Sequence, residues 1–126
     1  MKVLQMVSTA YRATIEEQDD TILWLTQAMK SAGGDFDVLL TGNAVNYAIV
    51  GQDASGLAFG DWRQTQPPRI ADDLARMMDK GIDVLAVADD LIDRGLADCT
   101  MVKGVRRVQR GDLAKLMDGY DRIWRW

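Results

Sequence analysis

Ile82-Asp83-Val84-Leu85-Ala86-Val87-Ala88-Asp89-Asp90 is the stretch that decides the fold of this chain. It is a nearly continuous apolar run with no alternation of polar residues. That length and pattern suit a strand buried on both faces, the habit of parallel sheets covered by helices. Gly81 precedes the run, and a short helical segment from Asp90 to Arg94 follows it, closed by Gly95. A buried strand that hands over directly to a helix is half of a βαβ unit.

Working toward the N-terminus, Pro68 suits the first turn of a helix, and Asp72 and Asp73 complement its dipole. Ile70, Leu74, Met77 and Met78 mark its buried face, and Gly81 caps its end. Before it, 51–67 is rich in Gly, Asp and Gln and has no periodicity, so it reads as the longest loop. Phe59 and Trp62 within that loop are expected to anchor it onto the core, with lid or partner contacts as the alternative. Gly42 to Val50 reads as a short helix and Asp37 to Thr41 as the second strand. Thr14-Ile15-Glu16-Glu17 fits a capping box. It opens a helix whose inner face is expected at Ile22, Leu25, Met29 and Ala32, stopped by Gly33-Gly34. Lys2 to Val7 is the first strand.

Toward the C-terminus, Val105 to Gln109 is a fourth strand and Asp112 caps a helix over 113–117, ended by Gly119. Arg122-Ile123-Trp124-Arg125-Trp126 is a fifth strand, with Trp124 and Trp126 on one face and Ile123 and Arg125 on the other. Strands alternating with helices predict a single flavodoxin-like three-layer α/β domain over 1–126, with a five-stranded, mainly parallel sheet in a flavodoxin-like order.

Composition narrows the chemistry. A chain of 126 residues, 48% hydrophobic and 27% charged, can build a core without disulfides or metals. With no histidine and one cysteine, it has neither a His/Cys zinc site nor a histidine general base, and no internal disulfide. Acid–base work falls to carboxylates, lysine or tyrosine. The opening residues are too soon polar for a signal peptide, and no apolar run reaches membrane-spanning length, so a cytoplasmic location is expected. Net charge is −4, yet residues 101–126 carry seven basic side chains against three acidic ones. That excess reads either as a solvated sheet edge or as a surface that steers an anionic partner.

In an open parallel sheet, ligands bind beyond the carboxyl ends of the strands. Three turns lie there: Ser8–Ala13, Thr41–Asn46 and Ala88–Asp90. The first offers hydroxyls and Arg12 where a flavodoxin holds a phosphate, but lacks the glycine that permits close backbone approach. Asp89-Asp90 invites comparison with a phosphorylated receiver aspartate. The acidic residues that chemistry needs after the first strand are missing, as is the lysine of the fifth strand, so the pair reads as helix N-terminal acids. Cys99, between a short helix and the fourth strand, is a lone cysteine far from that end, as readily a small apolar filler as a nucleophile.

Several segments resemble one family. Gly81 to Leu96, ending in Leu91-Ile92-Asp93-Arg94-Gly95, is similar to the strand and helix with an "L-x-x-R-G" ending in the DsrE/DsrF/DsrH (sulfur-relay, TusBCD-like) superfamily. Val102-Lys103-Gly104-Val105, Gln109 to Met117, the tryptophan-rich terminal strand and Gly42-Asn43-Ala44-Val45 resemble further segments of it in the same order. The resemblance spans nearly the whole chain and rests on order and spacing, with no single diagnostic motif.

The resemblance implies a persulfide-carrying cysteine about eight residues before the glycine of "R-G". Counting back from Gly95 reaches Val87, which has no nucleophile. The chain therefore resembles the non-carrying subunits, and no cofactor and no metal are expected. The resemblance also implies a homo-oligomer, trimeric or hexameric, or a hetero-oligomer with other sulfur-relay subunits, with Trp62, Trp124 and Trp126 as interface residues; they suit the domain's own core almost as well. Membrane association and direct nucleic-acid binding are not expected. Two alternatives stand beside this: Cys99 as a persulfide carrier, and a small-ligand or nucleotide pocket formed by Ser8, Thr9, Arg12, Asn43, Val87 and Asp89.

Overall fold

The computed structural model describes residues 1–12, 19–53 and 56–126. Strand β1 (Lys2–Val7) leads to helix α1 (Thr21–Ser31) and strand β2 (Asp35–Leu40). A 3-10 turn over Gly42–Ala48 follows, then a small antiparallel hairpin of β3 (Ala58–Phe59) and β4 (Trp62–Arg63). Helix α2 (Ile70–Asp79), strand β5 (Val84–Val87) and helix α3 (Ala88–Asp93) come next. Strand β6 (Arg106–Val108), helix α4 (Leu113–Met117) and strand β7 (Arg122–Arg125) complete the chain.

The main sheet runs β6-β5-β2-β1-β7, and every neighbouring pair in it is parallel. Strand alternation divides its side chains between two cores. Val7, Val38, Leu40, Val84 and Ala86 face Ile22 and Leu23 of α1, Ala44 and Val45 of the 3-10 turn, Leu74 and Met77 of α2 and Leu91 of α3. Leu4, Leu39, Leu85 and Val87 face the other way, against Leu113, Leu116 and Met117 of α4, with Tyr120 and Ile123. The three layers of the flavodoxin-like expectation are therefore present.

The strand order within them differs from the expected one. In flavodoxin the second strand lies at the sheet edge, whereas here β2 is central. The chain steps in one direction from β1 to β2, β5 and β6, then crosses the whole sheet to place β7 beside β1. Right-handed crossovers put the helices of the first three steps on one face and α4, which steps back, on the other. The two cores have this composition for that reason, and the reversal of strand order falls between β1 and β7.

Two local expectations are corrected. The capping box at 14–17 lies outside the described residues, and α1 is capped by Asp20, whose carboxylate accepts from the backbone N–H groups of Ile22 (2.9 Å) and Leu23 (3.2 Å). The helix accordingly buries Ile22, Leu23 and Thr26, while Ala32 is its exposed C-cap. The segment 51–67 is not without structure. Phe59-Gly60-Asp61-Trp62 turns a hairpin in which Gly60 takes φ 57°, and both aromatics point outward instead of anchoring on the core. Phe59 is 66% and Trp62 49% exposed, and their rings pack on each other with centroids 5.9 Å apart.

Candidate functional site at the carboxyl ends of the strands

The carboxyl ends of β2, β5 and β6 are joined by one charged network. Asp90, in the first turn of α3, accepts from the backbone N–H of Gly42 at 2.8 Å and from the Arg110 guanidinium at 2.5 Å. Asp89 accepts from the backbone N–H of Arg110 at 2.8 Å, which holds its carboxyl below the usual aspartate range. Arg94 donates to Asn43 Oδ1 (3.1 Å) and to the carbonyl of Asp90 (3.2 Å). Arg110 also reaches Asp93 at 3.5 Å. The acids after β5 thus do more than favour a helix N-terminus: they tie three strand ends together.

Gly42 is required by this arrangement. Its φ of +52° suits glycine, and a Cβ there would stand 3.5 Å from the carbonyl oxygen of Ser8, in ordinary contact. The conformation, more than the space, selects the residue.

The order reversal between β1 and β7 is the place an open sheet offers a ligand. There Ser8 is engaged by the chain's own terminus, since its backbone N–H (3.0 Å) and its hydroxyl (2.7 Å) both donate to the carbonyl of Trp126. Thr9 is exposed and Arg12 half-buried in the same turn. Between them Tyr11 adopts φ 57°, and it is the one described non-glycine residue with positive φ. Such a conformation persists only where surrounding contacts hold it. The contacts are the Tyr47 hydroxyl on its backbone N–H, a T-shaped packing of the two rings at 5.2 Å, and a hydrogen bond from its own hydroxyl to the Gln52 carbonyl at 3.0 Å. Nothing in the sequence marked Tyr11, because positive φ is rare for tyrosine and the partners that impose it lie more than 30 positions away.

Ser8, Asn43 and Asp89 therefore lie at the same end of the sheet, each with a defined internal partner. Val87 does not line a groove: it is 1% exposed and belongs to the core beneath α4. Cys99 is exposed on the turn after α3, its backbone N–H bonded to the Leu96 carbonyl. Trp124 packs on Phe36 with centroids 5.8 Å apart, and Trp126 is 36% exposed. Among the described residues no group of His, Cys, Asp or Glu is arranged to hold a metal, and no helix is long and apolar enough to cross a membrane. Three surface cavities of about 290, 480 and 420 Å3 flank α2.

Together these features define a parallel α/β domain whose strand-end turns are locked by internal ion pairs. No protein-family model matches the chain, and no curated protein sequence does. Solved structures do. The ychN protein of E. coli superposes with a TM-score of 0.72 at 17% identity, covering 100% of both chains. MTH1491 of Methanobacterium thermoautotrophicum, a protein of unknown function, gives 0.69 at 12% identity over 99% of this chain and 98% of its own. BT1422 of Bacteroides thetaiotaomicron, a conserved protein of unknown function, gives 0.63 at 16% over 99% and 95%. At these identities the likeness establishes a shared fold across the whole domain.

Proposed function

We propose that the chain is a DsrE/DsrF/DsrH-like subunit that serves intracellular sulfur trafficking through assembly and not through a carrier cysteine of its own. The observation that carries this reading is Val87. It sits at the end of β5, where the resemblance calls for the sulfur-bearing cysteine, yet it is an apolar residue closed into the core. The end-to-end match to three solved domains of similar size shows a shared fold, with which this reading is compatible. A cytoplasmic location belongs to the same reading.

Assembly needs apolar surface that the monomer leaves uncovered. The hairpin provides Phe59 and Trp62, and aromatics are enriched at the centres of interfaces. Both sheet edges end in exposed arginines, Arg106 and Arg107 on β6 and Arg122 and Arg125 on β7. Like charges on edge strands oppose edge-to-edge pairing of identical chains, so the hairpin is the better candidate contact. Sedimentation at micromolar concentration tests the reading: a trimer or hexamer is expected, and a monomer without partners would overturn it. Trp62→Ser should lower the assembled mass while the domain stays folded.

The exposure of Cys99 favours a second reading, in which this thiol accepts a persulfide. Intact-mass measurement after incubation with a persulfide donor separates the two. A gain of one sulfur that vanishes in Cys99→Ser makes the chain a carrier.

A further inference from the structure

Asp73 occupies an unusual place. It lies on the buried stripe of α2, with Ile70, Leu74 and Met77, where the helical period calls for an apolar residue. It is 2% exposed. One carboxylate oxygen accepts from the Arg76 guanidinium; the other, Oδ2, is shut from water and meets no donor among the described residues. A buried acceptor without a donor is costly, and a buried charge more so.

The neighbour that explains it is another acid. Asp19, on the turn just before the Asp20 cap of α1, lines the same two cavities as Asp73 and Arg76. Two carboxylates are both acceptors, so they satisfy one another only with a proton between them. We propose that Asp19 and Asp73 share one proton and so latch the start of α1 to the first turns of α2, a latch released as the pH rises.

Burial first, and then the neighbouring Asp19 carboxyl, raise the Asp73 carboxyl from 3.8 to about 7, with Arg76 pulling the other way. The surrounding charges keep that balance. Asp53, held on the backbone N–H of Ile70 at 2.9 Å, adds repulsion. Asp72 is paired with Arg69 at 3.3 Å, and Lys80 stands on the rim of the smaller cavity. Glu16 and Glu17 lie outside the described residues. The direction follows from linkage. A carboxyl raised in the folded state stabilises fully below its unfolded value, and that stabilisation is lost as the pH rises through about 7. Histidine, whose ordinary charge change falls in this window, is absent from the chain. The acid pair would take its place as the proton-sensitive group near neutrality.

The test is a carbon-13 NMR titration of the Asp73 carboxyl, with urea midpoints across pH 5.5 to 8.5 for the same protein. Asp73 is expected to titrate near neutrality, and the urea midpoint to fall over the same range. Asp73→Asn should lose that fall and exceed the parent at pH 8. Asp19→Asn, whose amide can donate to Asp73 Oδ2, should return the Asp73 titration toward the ordinary aspartate range. An Asp73 midpoint near 4 in the parent, or an unchanged midpoint fall in Asp73→Asn, would overturn the latch.

Discussion

The indole N–H of Trp126 donates to Gln5 Oε1 at 2.6 Å, joining the end of the chain to the middle of β1. Gln5 is wholly buried, and its amide nitrogen has no acceptor among the described residues. Exchanging the amide oxygen and nitrogen does not cure this, because the indole can only donate. The side chain therefore makes one bond and leaves one polar atom stranded.

From this an unequal response is expected. Gln5→Met removes the stranded nitrogen together with the bond, and half-exposed Trp126 can turn its N–H to water. Stability should change by less than about 1 kcal/mol, in either direction. Trp126→Ala loses the bond and the ring's contact with the sheet, and should cost about 2 kcal/mol. Urea unfolding of both variants measures the difference, and equal losses would contradict it.

Tyr47 is a second junction. Its hydroxyl donates to Asp20 Oδ2 at 2.6 Å and accepts the backbone N–H of Tyr11, so one oxygen secures both the cap of α1 and the strained turn after β1. Tyr47→Phe leaves a buried carboxylate one donor short and an amide unpaired. A loss of about 2–3 kcal/mol is expected, along with faster amide exchange at Tyr11. A loss under about 0.5 kcal/mol would mean that water replaces the hydroxyl without cost.

At the opposite end of the sheet, Asp37 accepts from the Asp83 backbone N–H (2.8 Å) and the Tyr120 hydroxyl (2.8 Å), and pairs with Lys2 at 3.2 Å. Burial first, then the bond to Asp37, raises the Tyr120 hydroxyl above its ordinary 10.0; burial and Asp20 do the same for Tyr47. Groups raised in the folded state give stability that is complete below their unfolded value and lost above it. The domain should therefore lose stability steeply from about pH 10 upward. Tyr120→Phe should cost about 1 kcal/mol at neutral pH and flatten that alkaline decline. An unchanged decline would remove Tyr120 from its causes.

Legibility followed burial. Ile82 to Ala88 and Lys2 to Val7 were readable as strands because central parallel strands must be apolar on both faces, and a run of that kind has few other uses. Asp72 and Asp73 looked alike, as first-turn acids; only packing made one exposed and the other buried beside Asp19. The Asp20 cap is likewise invisible locally, since Thr14-Ile15-Glu16-Glu17 is the better sequence pattern and Tyr47, which helps hold Asp20, lies 27 positions on. The hairpin did have a signal. A Gly60-Asp61 pair between Phe59 and Trp62 is a two-residue turn motif, but its strands are only two residues long, too short to show the alternation that marks a strand.

By itself the sequence determined a parallel α/β domain built on a five-stranded sheet, since the hydrophobic period of each segment is a local property. What it did not determine was the strand order, because an apolar strand reads the same whichever neighbour it has. That order redistributes the charge. The basic excess of residues 101–126 forms one block in the chain, yet β6 and β7 stand at opposite edges of the sheet. Arg106 and Arg110 are met there by Asp83 and Asp90, while Arg122 and Arg125 lie on the far edge. The block became two separate edges when the last crossover carried β7 across the sheet to β1, the same backward step whose right-handed crossover puts α4 on the second face.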